Sequence, residues 1–192
     1  MSLYRTGQVI CKSFFNISYK VQVIGQEHIP KEGGVLLCCN HLSNLDPPLL
    51  GAYLQRPVHY MAKKELFEVP LFGTLLSNLG AFPVKRGAGD RQALRTTLNM
   101  LKEGKMIGLF PEGTRSKTGE IGEGLAGVGF FAARSEAAVV PVAIIGPYKF
   151  RKPLTIVYGK PLDMQQLREQ KASAAEVTAV IMTEIKQLKA RF

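Results

Sequence analysis

Apolar residues recur along the chain at two spacings, and the alternation between them lays out the elements. Near the start, Leu3, Gly7, Ile10, Phe14 and Ile17 fall three or four apart, on one side of a helix, with Arg5, Lys12 and Lys20 elsewhere around it. Such a helix either lies flat on a bilayer or packs on the domain, and periodicity does not separate the two. Polar and apolar positions then alternate over residues 19–23, which predicts a strand. After a turn at residues 30–34, the unbroken apolar run Val35–Cys39 predicts a buried strand. Residues 47–54 read as a helix with prolines in its first turn, where a missing N–H costs nothing. A short strand at residues 58–61, helical pieces through Leu79 and a strand over Ala81–Val84 follow. Asp90 is expected to cap a helix carrying Leu94, Leu98 and Leu101, which Gly104 ends. Residues 106–110 form a second buried run. A Gly/Ala-rich helix is predicted over residues 125–135, and strands over 139–145 and 155–158. Val177, Ile181, Ile185 and Leu188 share a face of a final helix.

Strands alternating with helices of about ten residues predict an α/β fold: a single domain with a mixed, largely buried β-sheet flanked by helices. The 192 residues fit one domain. Residues 1–18 are expected to be a membrane-contact segment ahead of a domain at 19–192. Pro141, inside an apolar run, argues for an edge, an end or a bulge there. Polar residues gather just after Val35–Cys39 and after residues 106–110, and sites in α/β folds lie at such strand ends.

Charge narrows the partners. Lys and Arg number 25 against 15 Asp and Glu, a net +10. A surplus of this size favours nucleic acid, an anionic membrane or phosphorylated small molecules. No zinc spacing, basic-aromatic platform or RNA-binding signature accompanies it, so no nucleic-acid partner is expected. Cys11, Cys38 and Cys39 are too few for a disulfide framework and fit a reducing compartment. No apolar stretch approaches the ~18–20 residues that span a bilayer, so membrane contact is expected to be peripheral, on the cytoplasmic face.

Two segments carry candidate chemistry. His41 and Asp46, in Asn40-His41-Leu42-Ser43-Asn44-Leu45-Asp46, follow a buried strand and precede a proline-started helix. Asp46 has an ordinary role available as that helix's N-cap. Because it precedes Pro47 it is also expected to lie outside helical conformation, so that a loop can fold its carboxylate onto the imidazole. A histidine so held removes a proton from an alcohol. The second segment is Phe110-Pro111-Glu112-Gly113-Thr114-Arg115-Ser116. Here Glu112 and Arg115 either form a surface pair of little worth or free the guanidinium for a phosphate, which it binds through two oxygens at once. A shorter strand similarly delivers Lys85 and Arg86 at its end.

These segments, with Gly80-Ala81-Phe82 before Arg86 and with Val140-Pro141-Val142, resemble in order and spacing the four motifs of the glycerophosphate acyltransferase family. The compact size and the NHxSxxD form look most like its 1-acyl-glycerol-3-phosphate acyltransferases. The resemblance runs from about Gly25 to Pro161. It implies the fold of that family and transfer of an acyl group from acyl-CoA or acyl-carrier protein, with no bound cofactor or metal, to a lysophospholipid at an anionic membrane surface. It implies His41 as general base on the glycerol hydroxyl and Asp46 as its orienting partner. Arg86 and Arg115, with Lys85 beside them, would grip the acceptor phosphate. Glu112, Gly113 and Thr114 would position the glycerol, and Val140 and Pro141 would lie near the acyl chain. One departure stands out: the Phe-Lys pair common after the Glu-Gly-Thr-Arg motif is replaced by Glu123-Gly124-Leu125-Ala126-Gly127. An acyl-enzyme on Cys38, Cys39 or Ser43 is the rival chemistry, although no G-x-S-x-G elbow supports it.

Overall fold

The computed structural model describes residues 3–85 and 89–192. Helix α1 (Leu3–Ser18) leads into strand β1 (Lys20–Ile24), and β2 (Val35–Cys39) is followed by α2 (Asp46–Ala52). Strand β3 (Val58–Lys63) passes through a 3-10 turn (Lys64–Phe67) into α3 (Phe72–Asn78) and β4 (Ala81–Val84). Helix α4 (Arg91–Lys102), β5 (Met106–Leu109) and α5 (Ala126–Arg134) precede the pair β6 (Ala138–Ile145) and β7 (Pro153–Tyr158). A short α6 (Gln165–Glu169) and the long α7 (Ala174–Ala190) complete the chain.

One seven-stranded sheet runs β1-β7-β6-β2-β5-β3-β4. All pairings are parallel except β6–β7, so the sheet is mixed, as expected. Side chains alternate across β2: Val35, Leu37 and Cys39 enter the core under α1 and α2, while Leu36 and Cys38 enter the core under α4, α5 and α7. A sheet covered on both faces needs strands apolar throughout, which is why Val35–Cys39 reads as an unbroken run. The register places the C-terminal ends of β2, β3, β4, β5 and β6 along one edge.

Pro141 sits in β6, which is an inner strand. The parallel ladder to β2 continues through it, opposite Cys38. The antiparallel ladder to β7 ends one residue later in β6, at Val142 opposite Tyr158, and Gly159 N–H still donates to the Pro141 carbonyl at 2.8 Å. The missing N–H thus falls at the end of a ladder, where no partner is lost.

Helix α1 buries Phe15, 1% exposed, in the core. Its Tyr4 hydroxyl accepts from Val58 N–H at 2.8 Å, and Gln8 donates to the carbonyls of Gly51 and Leu54. The packing face therefore carries Tyr4, Gln8, Cys11 and Phe15. The stripe that periodicity selects lies about 100° around the helix from it, and Leu3, Ile10, Phe14 and Ile17 on that stripe are exposed. At the other end of the chain, Val177, Ile181 and Ile185 of α7 are buried as the spacing predicts.

Candidate active site

Backbone turns bring the polar residues after β2 and β5 together. Asp46 N–H donates to the Ser43 carbonyl at 3.1 Å, closing residues 43–46 into a turn. Asp46 is the first residue of α2, not a residue outside the helix, and its carboxylate caps no helical N–H. It turns back instead. Oδ2 accepts from Leu42 N–H at 2.6 Å and Ser43 N–H at 2.7 Å, and meets His41 Nδ1 at 2.7 Å. The loop before the helix, rather than the residue's own backbone conformation, folds the carboxylate onto the imidazole.

The second oxygen is held as well. Tyr148, in the loop after β6, donates its hydroxyl to Asp46 Oδ1 at 2.6 Å. Burial, and then the Asp46 charge, push the Tyr148 phenol far above its ordinary range, so it stays protonated and remains a donor. Asp46 is wholly buried, and a buried carboxylate needs such a set of donors. No spacing signal marks Tyr148, which is 102 residues from Asp46.

His41 is fixed on three sides. Its ring stacks on Phe110 with centroids 4.2 Å apart and planes inclined by 22°. Its N–H donates to Glu112 Oε1 at 3.1 Å, and its carbonyl accepts from Ser116 N–H at 2.8 Å. With Nδ1–H given to Asp46, the neutral imidazole carries its lone pair on Nε2. The His41 side chain keeps 15% of its surface exposed, whereas that of Asp46 is wholly buried.

Glu112 does not pair with Arg115. Its carboxylate accepts from His41 N–H and, more weakly, from Gly122 N–H at 3.5 Å, so it joins the loops after β2 and β5. Gly113 has φ +66°, a left-handed conformation that strains any residue with a Cβ, so glycine suits the turn. Thr114 and Arg115 are exposed. Arg115 makes no hydrogen bond or ion pair among the described residues and adjoins Ser116, which is bonded to His41. A free guanidinium beside the base remains available for an anion.

Other expected residues stand apart. Lys85 is exposed beyond β4, and its N–H donates to Asp90 Oδ2 at 2.9 Å. It shares the edge with His41 but lies three strands away in the sheet order, about 14 Å. Arg86 lies outside the described residues. Val140 and Pro141 are buried in mid-β6, opposite Leu37 and Cys38, and reach no surface at His41.

The site also bears on the rival chemistry. Cys38 and Cys39 are wholly buried, and burial raises both thiols well above their ordinary range. A thiol held protonated is a poor nucleophile. The Ser43 hydroxyl accepts from Leu45 N–H at 3.2 Å, and no hydrogen bond joins it to His41. Asn40, which precedes His41 at the end of β2, is buried: its amide donates to the Ile144 carbonyl at 3.0 Å and its oxygen accepts from Ile144 N–H at 2.8 Å. It thereby fixes the end of β6 beside the end of β2.

A family model described as Acyltransferase matches residues 20–145. The chain is 33% identical to a 1-acyl-sn-glycerol-3-phosphate acyltransferase of Bacillus subtilis, over 97% of this chain and 96% of that protein. It is 29% identical to the enzyme of that name from Borreliella burgdorferi over 68% of this chain, and spans 53% of that relative. It is 34% identical to the chloroplastic LPAT1 of Arabidopsis thaliana, also over 68% of the chain, and spans 37% of it. The crystal structure of the LPA acyltransferase PlsC from Thermotoga maritima superposes with a TM-score of 0.78 at 25% identity, over 98% of this chain and 80% of that one.

Proposed function

The chain belongs to the acyltransferase family, and on that premise we propose that it acylates the free sn-2 hydroxyl of 1-acyl-glycerol-3-phosphate to give phosphatidic acid. The observation that carries this reading is the His41–Asp46 pair at 2.7 Å with Nε2 left free beside the unpaired Arg115. His41 Nε2 takes the hydroxyl proton as the oxygen attacks the thioester carbonyl. The C–O bond forms, the C–S bond breaks, and the proton leaves with the thiol. Asp46 stabilises the imidazolium that forms between these steps. Arg115 holds the acceptor phosphate, with Arg86 and Lys85 as further cations. Gly113 and Thr114 shape the glycerol subsite, while Glu112 acts by fixing the His41 loop. Val140 and Pro141 bear on the acyl chain only through the packing of β6. The donor is acyl-CoA or acyl-carrier protein, both anionic, and no bound cofactor takes part.

Attachment is peripheral, to an anionic bilayer on its cytoplasmic face. No helix among the described residues is long and apolar enough to cross a membrane. The exposed stripe of α1 and a second apolar corner at Val69, Leu71 and Phe72, after β3, support that attachment.

The test is a transfer assay with labelled acyl-CoA or acyl-carrier protein and lysophosphatidic acid, run on wild type and His41→Ala. A positioned base contributes about 10²–10⁴-fold, so the variant should lose activity on that scale. Equal product from both proteins would remove His41 from the mechanism. No product from folded wild type with either donor would mean a different acceptor.

A further inference from the structure

We propose that the β6–β7 tip, residues 147–152, is a docking element for an anionic lipid bilayer, separate from helix α1 and placed at the mouth of the active site. It rests on the acyltransfer reading only for its choice of a lipid surface. The sequence between Gly146 and Pro153 is Pro147-Tyr148-Lys149-Phe150-Arg151-Lys152: three cations, no acid and one large apolar side chain. Phe150 is 71% exposed, and the Arg151 guanidinium lies 5.7 Å from its ring centroid. Lys149 and Lys152 are exposed as well.

The tip is built rather than loose. Lys152 N–H donates to the Lys149 carbonyl at 3.0 Å and Arg151 N–H to the Ser18 carbonyl at 2.7 Å, while Lys20 N–H donates to the Lys152 carbonyl at 3.0 Å. One of these bonds ties the tip to the end of α1 and another to the start of β1, so the exposed Phe150 belongs to a tip anchored beside the helix end that carries the exposed Phe14 and Ile17. Lys20, also exposed, adds a fourth cation. An aromatic among cations suits an interface where the ring enters the acyl boundary and the charges meet headgroups. An acidic protein partner would use the charges but leave Phe150, Phe14 and Ile17 without an apolar phase. The position also suits a lipid substrate: Tyr148, in the same loop, holds Asp46, and its ring packs edge-on against Tyr19 at 5.7 Å.

Sedimentation with phosphatidylcholine vesicles, with and without phosphatidylglycerol, tests this on the full chain. Wild type is compared with Phe150→Ala and with the triple variant Lys149→Glu, Arg151→Glu, Lys152→Glu. The triple variant should bind anionic vesicles at least tenfold more weakly, and Phe150→Ala severalfold more weakly. Both should turn over a short-chain, monomeric lysophosphatidic acid at the wild-type rate, which also reports folding. Unchanged affinity of both variants for anionic vesicles overturns the proposal. So does a triple variant that binds vesicles normally but loses turnover with acyl-carrier protein and not with acyl-CoA, since the tip would then be a carrier-protein contact. Absence of phosphatidic acid from wild type would count against the acyltransfer reading alone, because vesicle binding is measured separately.

Discussion

A histidine has two ring nitrogens, and whatever holds one decides what the other does. In this site Asp46 holds Nδ1 of His41, and Tyr148 holds the far oxygen of Asp46. A hydrogen bond to a charged group is worth about 1.5–3 kcal/mol. Removing the Tyr148 hydroxyl should therefore loosen the orientation of Asp46 and lower kcat by about tenfold, with little change in KM for the acceptor. A Tyr148→Phe variant with wild-type kcat would mean that the tyrosine serves packing only. At this scale the sequence shows His41 and Asp46 because the contact spans five positions and one turn closes it. Tyr148 stays hidden because its contact is made by the sheet, through the end of β6. Phe110 and Asn40 lie inside the motifs, but stacking on a ring or fixing a neighbouring strand has no sequence signature.

Among the elements, periodicity locates a face without saying what covers it. The stripe Leu3, Ile10, Phe14 and Ile17 predicts α1 correctly as a helix, yet the helix packs through Tyr4, Gln8 and Phe15, a mixed set that reads as polar. Only the covering partners, Gly51, Leu54 and Val58, make that second face intelligible. Pro141 shows the converse. It excludes a complete ladder on both sides, but an inner strand whose ladder stops at Val142 satisfies the exclusion as well as an edge strand does. Where β2 gives out, the Asn40 side chain continues its hydrogen bonding to Ile144. Replacing Asn40 with Leu keeps the bulk but strands a buried N–H and C=O, at a cost of about 2–4 kcal/mol. Denaturant unfolding of Asn40→Leu should show that loss as a lower midpoint with an unchanged slope. A midpoint within ~0.5 kcal/mol of wild type would mean that water or a relaxed strand replaces the carboxamide.

Over the whole molecule, one edge of the sheet gathers the chemistry and much of the exposed apolar surface. Parallel strands put their C-terminal ends together, and β2, β5 and β6 thereby bring His41, Arg115 and Tyr148 from three distant stretches to one mouth. The end of α1 and the Leu71–Phe72 corner reach the same side, and Leu71 is 88% exposed. An exposed stripe on a helix already packed by its other face lowers the free energy of the protein only if something apolar covers it. A bilayer does so while delivering the acceptor sideways to His41. Deleting residues 1–18 would also remove Phe15 from the core and so test folding instead. Ile10→Glu with Ile17→Glu avoids this, since both side chains are exposed and the packing face is untouched. The double variant should melt within a few degrees of wild type and turn over a monomeric acceptor normally. It should also bind anionic vesicles at least tenfold more weakly, because each change removes an apolar anchor and adds repulsion. Binding equal to wild type would leave the stripe to another partner and place bilayer contact on the tip and the Leu71 corner alone.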